Sequence, residues 1–182
     1  MWKNAGIAML AAILSTSVAA DDASAITDNA TVASTGLVGG MLMADKVVVQ
    51  KSERRLYLLR QGQVLRSYRV ALGLRPEGHK QQEGDFRTPE GEYKLIRRNP
   101  HSDFFLSMEI SYPNTSDLAR AQQHRLKPGG AIMLHGWPNV PHRTPDYYRT
   151  ADWTDGCIAV ANSDMVEIWL MTPIETPIEI RP

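Results

Sequence analysis

The punctuation between residues 46 and 72 constrains this chain more than any other feature. Three apolar-rich runs lie close together with only turn residues between them. Residues 46–50 carry Val47, Val48 and Val49; residues 55–60 carry Leu56, Tyr57, Leu58 and Leu59; residues 64–72 partly alternate apolar and polar positions. Spacers as short as residues 51–54 and 61–63 imply antiparallel hairpins. Further strands are expected at 93–98, 104–112, 131–135 and 178–180. Asn114 is placed to cap a helix running to about residue 124, and Asn162-Ser163-Asp164 reads as the N-cap of another. In that second helix Met165, Ile168 and Trp169 share one face, with Val166 and Leu170 beside it. Together these elements predict a mainly β domain, sandwich- or barrel-like, with two or more short helices.

The ends bound the rest. Residues 1–20 read as a signal peptide: Lys3 supplies the positive start, an apolar run follows from Ala5 to Leu14, and Val18-Ala19-Ala20 precedes Asp21-Asp22. That run is short for a membrane span, and no other stretch is apolar enough to cross, so no integral membrane segment is expected after cleavage. Residues 21–42, rich in Ala, Thr, Ser and Gly, are expected to form a flexible leader, and residues 43–182 one folded domain. Lys3 is the one charged residue of the signal peptide, so the 20 basic and 20 acidic residues of the chain become 19 and 20 in the mature form. That balance gives no footing for a nucleic-acid partner. The acidic start after the cleavage point suggests a periplasmic protein.

Export changes the meaning of the single cysteine, because a lone thiol in an oxidising compartment cannot close an internal disulfide. Cys157 follows Gly156, whose missing side chain lets backbone approach a bound group. An apolar run, residues 131–134, ends in His135-Gly136. A Cys nucleophile with a His base is the pairing these segments suggest, with an ion pair to imidazolium lowering the thiol pKa. The bland reading makes Cys157 a small buried hydrophobe and His135 a core histidine tied to backbone. The backbone N–H groups of Gly156 and Cys157 are the natural oxyanion donors. Asp155 either orients His135 as the third member of a triad or caps its own turn. Histidines 124, 135 and 142 are the closest set in the chain, but they lack His-x-His or His-Glu-x-x-His spacing, so neither a metal nor a cofactor is expected. The order His before Cys also departs from papain-like proteases.

Four pieces then occur in a telling order: Val70-Ala71-Leu72-Gly73, the stretch from Gly84-Asp85 through Thr88-Pro89 to Gly91-Glu92-Tyr93, His135-Gly136, and Gly156-Cys157. Over about residues 43–182 this pattern resembles the L,D-transpeptidase (YkuD-type) catalytic domain of bacterial cell-wall enzymes. The resemblance implies a thiolate that attacks the carbonyl of the third residue, usually diaminopimelate, of a peptidoglycan stem peptide. D-alanine leaves, a thioester forms, and an amine takes the acyl group. That amine belongs to another stem peptide or to a lipoprotein lysine. With water in place of the amine the same site becomes an L,D-carboxypeptidase, or an amidase that releases wall-bound lipoprotein. From a different class comes a wall-binding domain that has kept the fold and lost the chemistry. Two departures stand out. Thr154-Asp155-Gly156-Cys157 replaces the usual Ser-His-Gly-Cys, and Ala159 stands where most members carry Arg; the variant resembles a sub-branch that includes a lipoprotein-releasing enzyme.

For the substrate, Arg87 either grips a carboxylate in a forked pair or braces its own loop. Trp137, Tyr147, Tyr148 and Trp153 either line a cleft for an extended peptide or belong to the core. The loop 137–153 is the expected lid.

Overall fold

The structure is a computed structural model that describes residues 37–38 and 40–182. The expected signal peptide and most of the expected leader lie outside the described residues. The leader's last residues do not behave as a leader: β1 (Leu37–Val38) pairs antiparallel with β2 (Met41–Leu42), and Met41 packs on the core.

Eight strands form one sheet: β3 (Lys46–Gln50), β4 (Arg55–Arg60), β5 (Gln63–Arg69), β6 (Gly91–Ser102), β7 (Phe105–Ile110), β8 (Met133–His135), β9 (Ile158–Ala159) and β10 (Pro177–Arg181). Their order across the sheet is β5-β4-β3-β10-β6-β7-β8-β9. The hairpins read from the sequence are present. Between β4 and β5 the turn residues Gln61 and Gly62 both have positive φ, the two-residue geometry whose twist matches the flanking strands. Strand β3 is buried along Val47, Val48 and Val49 because it is central, with β4 antiparallel on one side and β10 parallel on the other.

The two edges of this sheet meet. Ala71, just past β5, exchanges both backbone hydrogen bonds with Ala159 of β9, at 2.8 and 2.9 Å. Thr154 bonds to the same run on the other side, its N–H to Leu72 O and its carbonyl to Leu74 N–H. The closure makes the domain barrel-like and holds the Cys157 segment at the seam. Ala159 itself is 1% exposed at that bridge, and nothing in the structure explains the absence of the Arg.

Three helices are present among the described residues: α1 (Thr115–Gln123), α2 (Pro145–Thr150) and α3 (Asn162–Met171). Asn114 caps α1 as expected, in a reciprocal capping box with Asp117. Helix α2 was not foreseen; Pro145 at its first position and the Thr144 cap start it. The cap expected at 162–164 is corrected: Ala161 is the N-cap of α3 and, as an alanine, makes no side-chain cap bond, while the Asn162 side chain accepts from Trp137 N–H at 2.7 Å. Helix α3 buries Met165, Ile168 and Met171 against the sheet, whereas Val166 and Leu170 are exposed and Trp169 lies beneath the Arg98 guanidinium.

Candidate active site

The site is built on alternation. Across β6, β7, β8 and β9, Arg98, Met108, Leu134 and Ile158 form one row, and the three apolar members are fully buried. Residues one step away point to the opposite face. There Ser107 pairs with His135 and Glu109 with Met133. Cys157 lies just before β9, where its sulfur accepts a hydrogen bond from Met133 N–H at 3.4 Å. His135 and Cys157 therefore share one face of two adjacent parallel strands. Both line a cleft of about 410 Å³, together with Phe104, Met133, Trp153 and Asp155.

The imidazole has a defined tautomer. Its Nδ1 lies 2.6 Å from Gly136 O, and since a carbonyl can only accept, Nδ1 carries the hydrogen and Nε2 is left with its lone pair. The rings of Phe104 and Trp153 pack on it at 4.7 and 5.7 Å, leaving 4% of the residue exposed. Burial pushes the His135 pKa down to about 4, with the Gly136 bond opposing only in part. Burial likewise pushes the Cys157 thiol up, with the Met133 N–H pulling the other way and the nearby Asp155 charge adding to the rise. Both shifts favour the uncharged forms, so burial works against the expected imidazolium–thiolate ion pair in the resting site.

Gly156 is required by its surroundings. Its φ is +127°, and a Cβ there would stand 2.7 Å from Arg87 O. Its N–H donates to Thr154 Oγ1 at 3.2 Å, and that hydroxyl donates to Cys157 O at 2.7 Å. This corrects the expected pair of oxyanion donors: the Gly156 N–H is engaged, and the Cys157 N–H remains.

The other expected site residues divide. Trp153 lines the Cys157 cleft. Asp155 lines it too but is exposed and makes no hydrogen bond to His135 among the described residues; the orienting partner is the Gly136 carbonyl. Arg87 does not line the cleft. Its guanidinium lies along the 78–79 backbone, 3.5 Å from His79 O, so the bracing alternative describes it. Trp137 and Tyr148 pack against each other in a tilted pair at 5.8 Å and line a separate cavity with Arg69 and Ala159. Phe104, Ser107, Met133 and Thr154 were missed. Met133 sits two residues before His135 on a strand, so period-two spacing alone would have found it. Among the described residues, no cluster of three or more His, Cys, Asp or Glu side chains is placed to hold a metal, and no helix is long and apolar enough to cross a membrane.

A closed β domain with a thiol and an imidazole in one cleft at its seam defines the class, and comparison with known proteins names it. Residues 44–180 match the family model YkuD, the L,D-transpeptidase catalytic domain, and the chain belongs to that family. The "Putative L,D-transpeptidase YafK" of Escherichia coli K12 is 35% identical over 103 residues, covering 52% of this chain and 40% of the relative. Among solved structures, the helical cell shape determining protein Pgp2 of Campylobacter jejuni superposes at a TM-score of 0.55 with 26% identity, over 74% of this chain and 46% of that one. Bd1075 of Bdellovibrio bacteriovorus gives 0.52 with 27% identity, over 76% and 48%. The chain spans less than half the length of each of these relatives.

Proposed function

We propose that the chain is an exported cysteine acyltransferase of L,D-transpeptidase type acting on peptidoglycan stem peptides, with Cys157 as nucleophile and His135 as base. One observation carries this reading: the sulfur and an imidazole whose Nδ1 is locked on Gly136 O open into the same cleft from neighbouring strands. As the thiol attacks the donor carbonyl, His135 Nε2 takes its proton, so the charged pair exists only along the reaction path. The Cys157 N–H faces the oxyanion that forms beside the sulfur. Collapse breaks the amide bond, the departing amine takes the proton from Nε2, and a thioester remains. An acceptor amine, or water, then gives its proton to Nε2 and attacks the thioester; the sulfur leaves and recovers the proton. The mature enzyme works in the periplasm after cleavage near Ala20, with stem peptides as its partners and a wall-attached lipoprotein as the alternative substrate.

Incubating purified muropeptides, with and without attached lipoprotein, and reading the products by mass spectrometry tests this. New 3→3 dimers identify an amine acceptor; loss of D-alanine alone, or freed lipoprotein, identifies water. Cys157→Ala abolishes whichever product forms, and persistent turnover in that variant refutes the nucleophile.

A further inference from the structure

The binding face does not end at the sulfur. One cross-strand row runs from Cys157, beside Met133, to Glu109 and then Arg97. With neighbouring strands about 4.8 Å apart, Glu109 lies roughly 10 Å and Arg97 roughly 14 Å along the sheet from the Cys157 position. A second cavity of about 310 Å³ opens there, lined by Arg97, Asn99, Ser107, Glu109 and Met133 among others. Ser107 and Met133 also line the Cys157 cleft, so the two cavities adjoin across these side chains.

Arg97 and Glu109 satisfy each other only in part. Arg97 Nε and Nη2 both reach Glu109 Oε2, each at 2.7 Å, leaving Nη1 and Oε1 without partners among the described residues. Arg97 is the exposed member, with 70% of its side chain in solvent against 23% for Glu109. An exposed pair of this kind contributes little to stability. What it offers is a guanidinium fork beside a carboxylate oxygen, the complement of a group bearing a carboxylate and an ammonium on one carbon.

We propose that Arg97 and Glu109 form a subsite for a zwitterionic amino-acid end on the side chain of the donor residue, held while the sulfur attacks that residue's carbonyl. This rests on the acyl-transfer reading above. The separation fits a long donor side chain met by two reaching receiver side chains, and excludes the attacking amine, which must lie at the sulfur.

Binding, not turnover, tests it. Cys157→Ala protein is titrated calorimetrically with a tetrapeptide carrying meso-diaminopimelate at its third position, and with the same peptide carrying lysine there, which lacks the carboxylate. The diaminopimelate peptide should bind about tenfold tighter. Adding Arg97→Ala should erase that preference, and adding Glu109→Gln should reduce it. Equal affinity for the two peptides, or a preference that survives Arg97→Ala or is untouched by Glu109→Gln, overturns the subsite. Turnover with Cys157 intact is read separately: a preserved preference without acyl transfer sinks the reaction and leaves the subsite standing.

Discussion

Two loops flank the Gly156–Cys157 segment, and the balance of the chemistry that holds them differs. The 76–90 loop is polar. Lys51, 2% exposed, spends its three donors on Gly78 O, Thr88 O and Glu90 Oε1. Lys80, 4% exposed, bonds Asp85, whose two oxygens also accept from the backbone N–H groups of Gln81, Gln82 and Arg87. Thr88 reaches Gly73 N–H, and Arg87 O packs on Gly156. The 137–153 loop has polar ties at its two ends, Trp137 N–H to Asn162 and Asn139 to the β6–β7 turn at the start, Arg69 to the 149–150 carbonyls and Asp152 to Arg54 and Leu72 N–H at the finish, and rings fill the space between them. Tyr148 meets Trp137 at 5.8 Å and Trp153 at 5.1 Å, and Arg149 covers Trp137 at 5.6 Å. Charge-assisted hydrogen bonds have narrow geometry and leave unpaired buried groups when broken, whereas ring contacts contribute about 0.5–1.5 kcal/mol each and tolerate sliding. The polar loop is therefore the fixed wall that sets the nucleophile's backbone, and the ring-packed middle of the 137–153 loop is the adjustable one.

The largest test of that contrast is Lys51→Met. It removes three donors at once, strands Gly78 O and Thr88 O, and leaves Glu90 without its cation; a loss of about 3–5 kcal/mol is expected in denaturant unfolding. A cost under about 1 kcal/mol would mean that the loop holds itself and that the contrast is misdrawn. Next comes His135, which the Trp153 end of the aromatic loop helps to bury. Its folded pKa, about 4, lies below the 6.5 of the unfolded chain. In that window the unfolded state binds the extra proton, so stability is complete above pH 6.5 and is lost as pH falls towards 4, by up to about 3 kcal/mol. The difference between wild type and His135→Gln across that range isolates the contribution. If the two curves run parallel from pH 6.5 to 4, the imidazole is not held neutral. The acid limb of kcat/KM should likewise fall near 4 and not near 6.5.

Much of this architecture could be read from residues alone, and the reasons it could are local. Turn spacing gave the β3–β4–β5 hairpins, and Asn114 with Asp117 gave the start of α1. The segments carrying His135 and Cys157 were legible because strand pattern and punctuation end at both. Their protonation states were not, since these depend on the rings of Phe104 and Trp153 arriving from elsewhere in the chain. The two alternatives for Arg87 and for Asp155 could be separated only by tertiary placement: a side chain along the 78–79 backbone in one case, a competing Gly136 carbonyl in the other. The burial of Lys51 and Lys80 carries no signal in one sequence, because a lysine is normally exposed and only the loop folded over it says otherwise. Ala159 stands out from residues alone as a departure from the family pattern, whereas its bridge to Ala71 joins residues 88 positions apart and carries no local signal.

The smallest expected effect bears on the aromatic wall. Tyr148→Phe keeps every ring contact and deletes one hydroxyl, which accepts from His142 N–H at 3.0 Å. His142 is exposed, so water can replace that acceptor and no buried donor is stranded. The cost should stay below about 1 kcal/mol in the same unfolding experiment. Thiol labelling of Cys157 should be unchanged, because the hydroxyl touches neither Trp153 nor the 154–157 turn. A loss comparable to that of Lys51→Met would show that the ring-packed middle of this loop hangs on a directional bond after all, and the two walls would then differ in composition and not in how they are held.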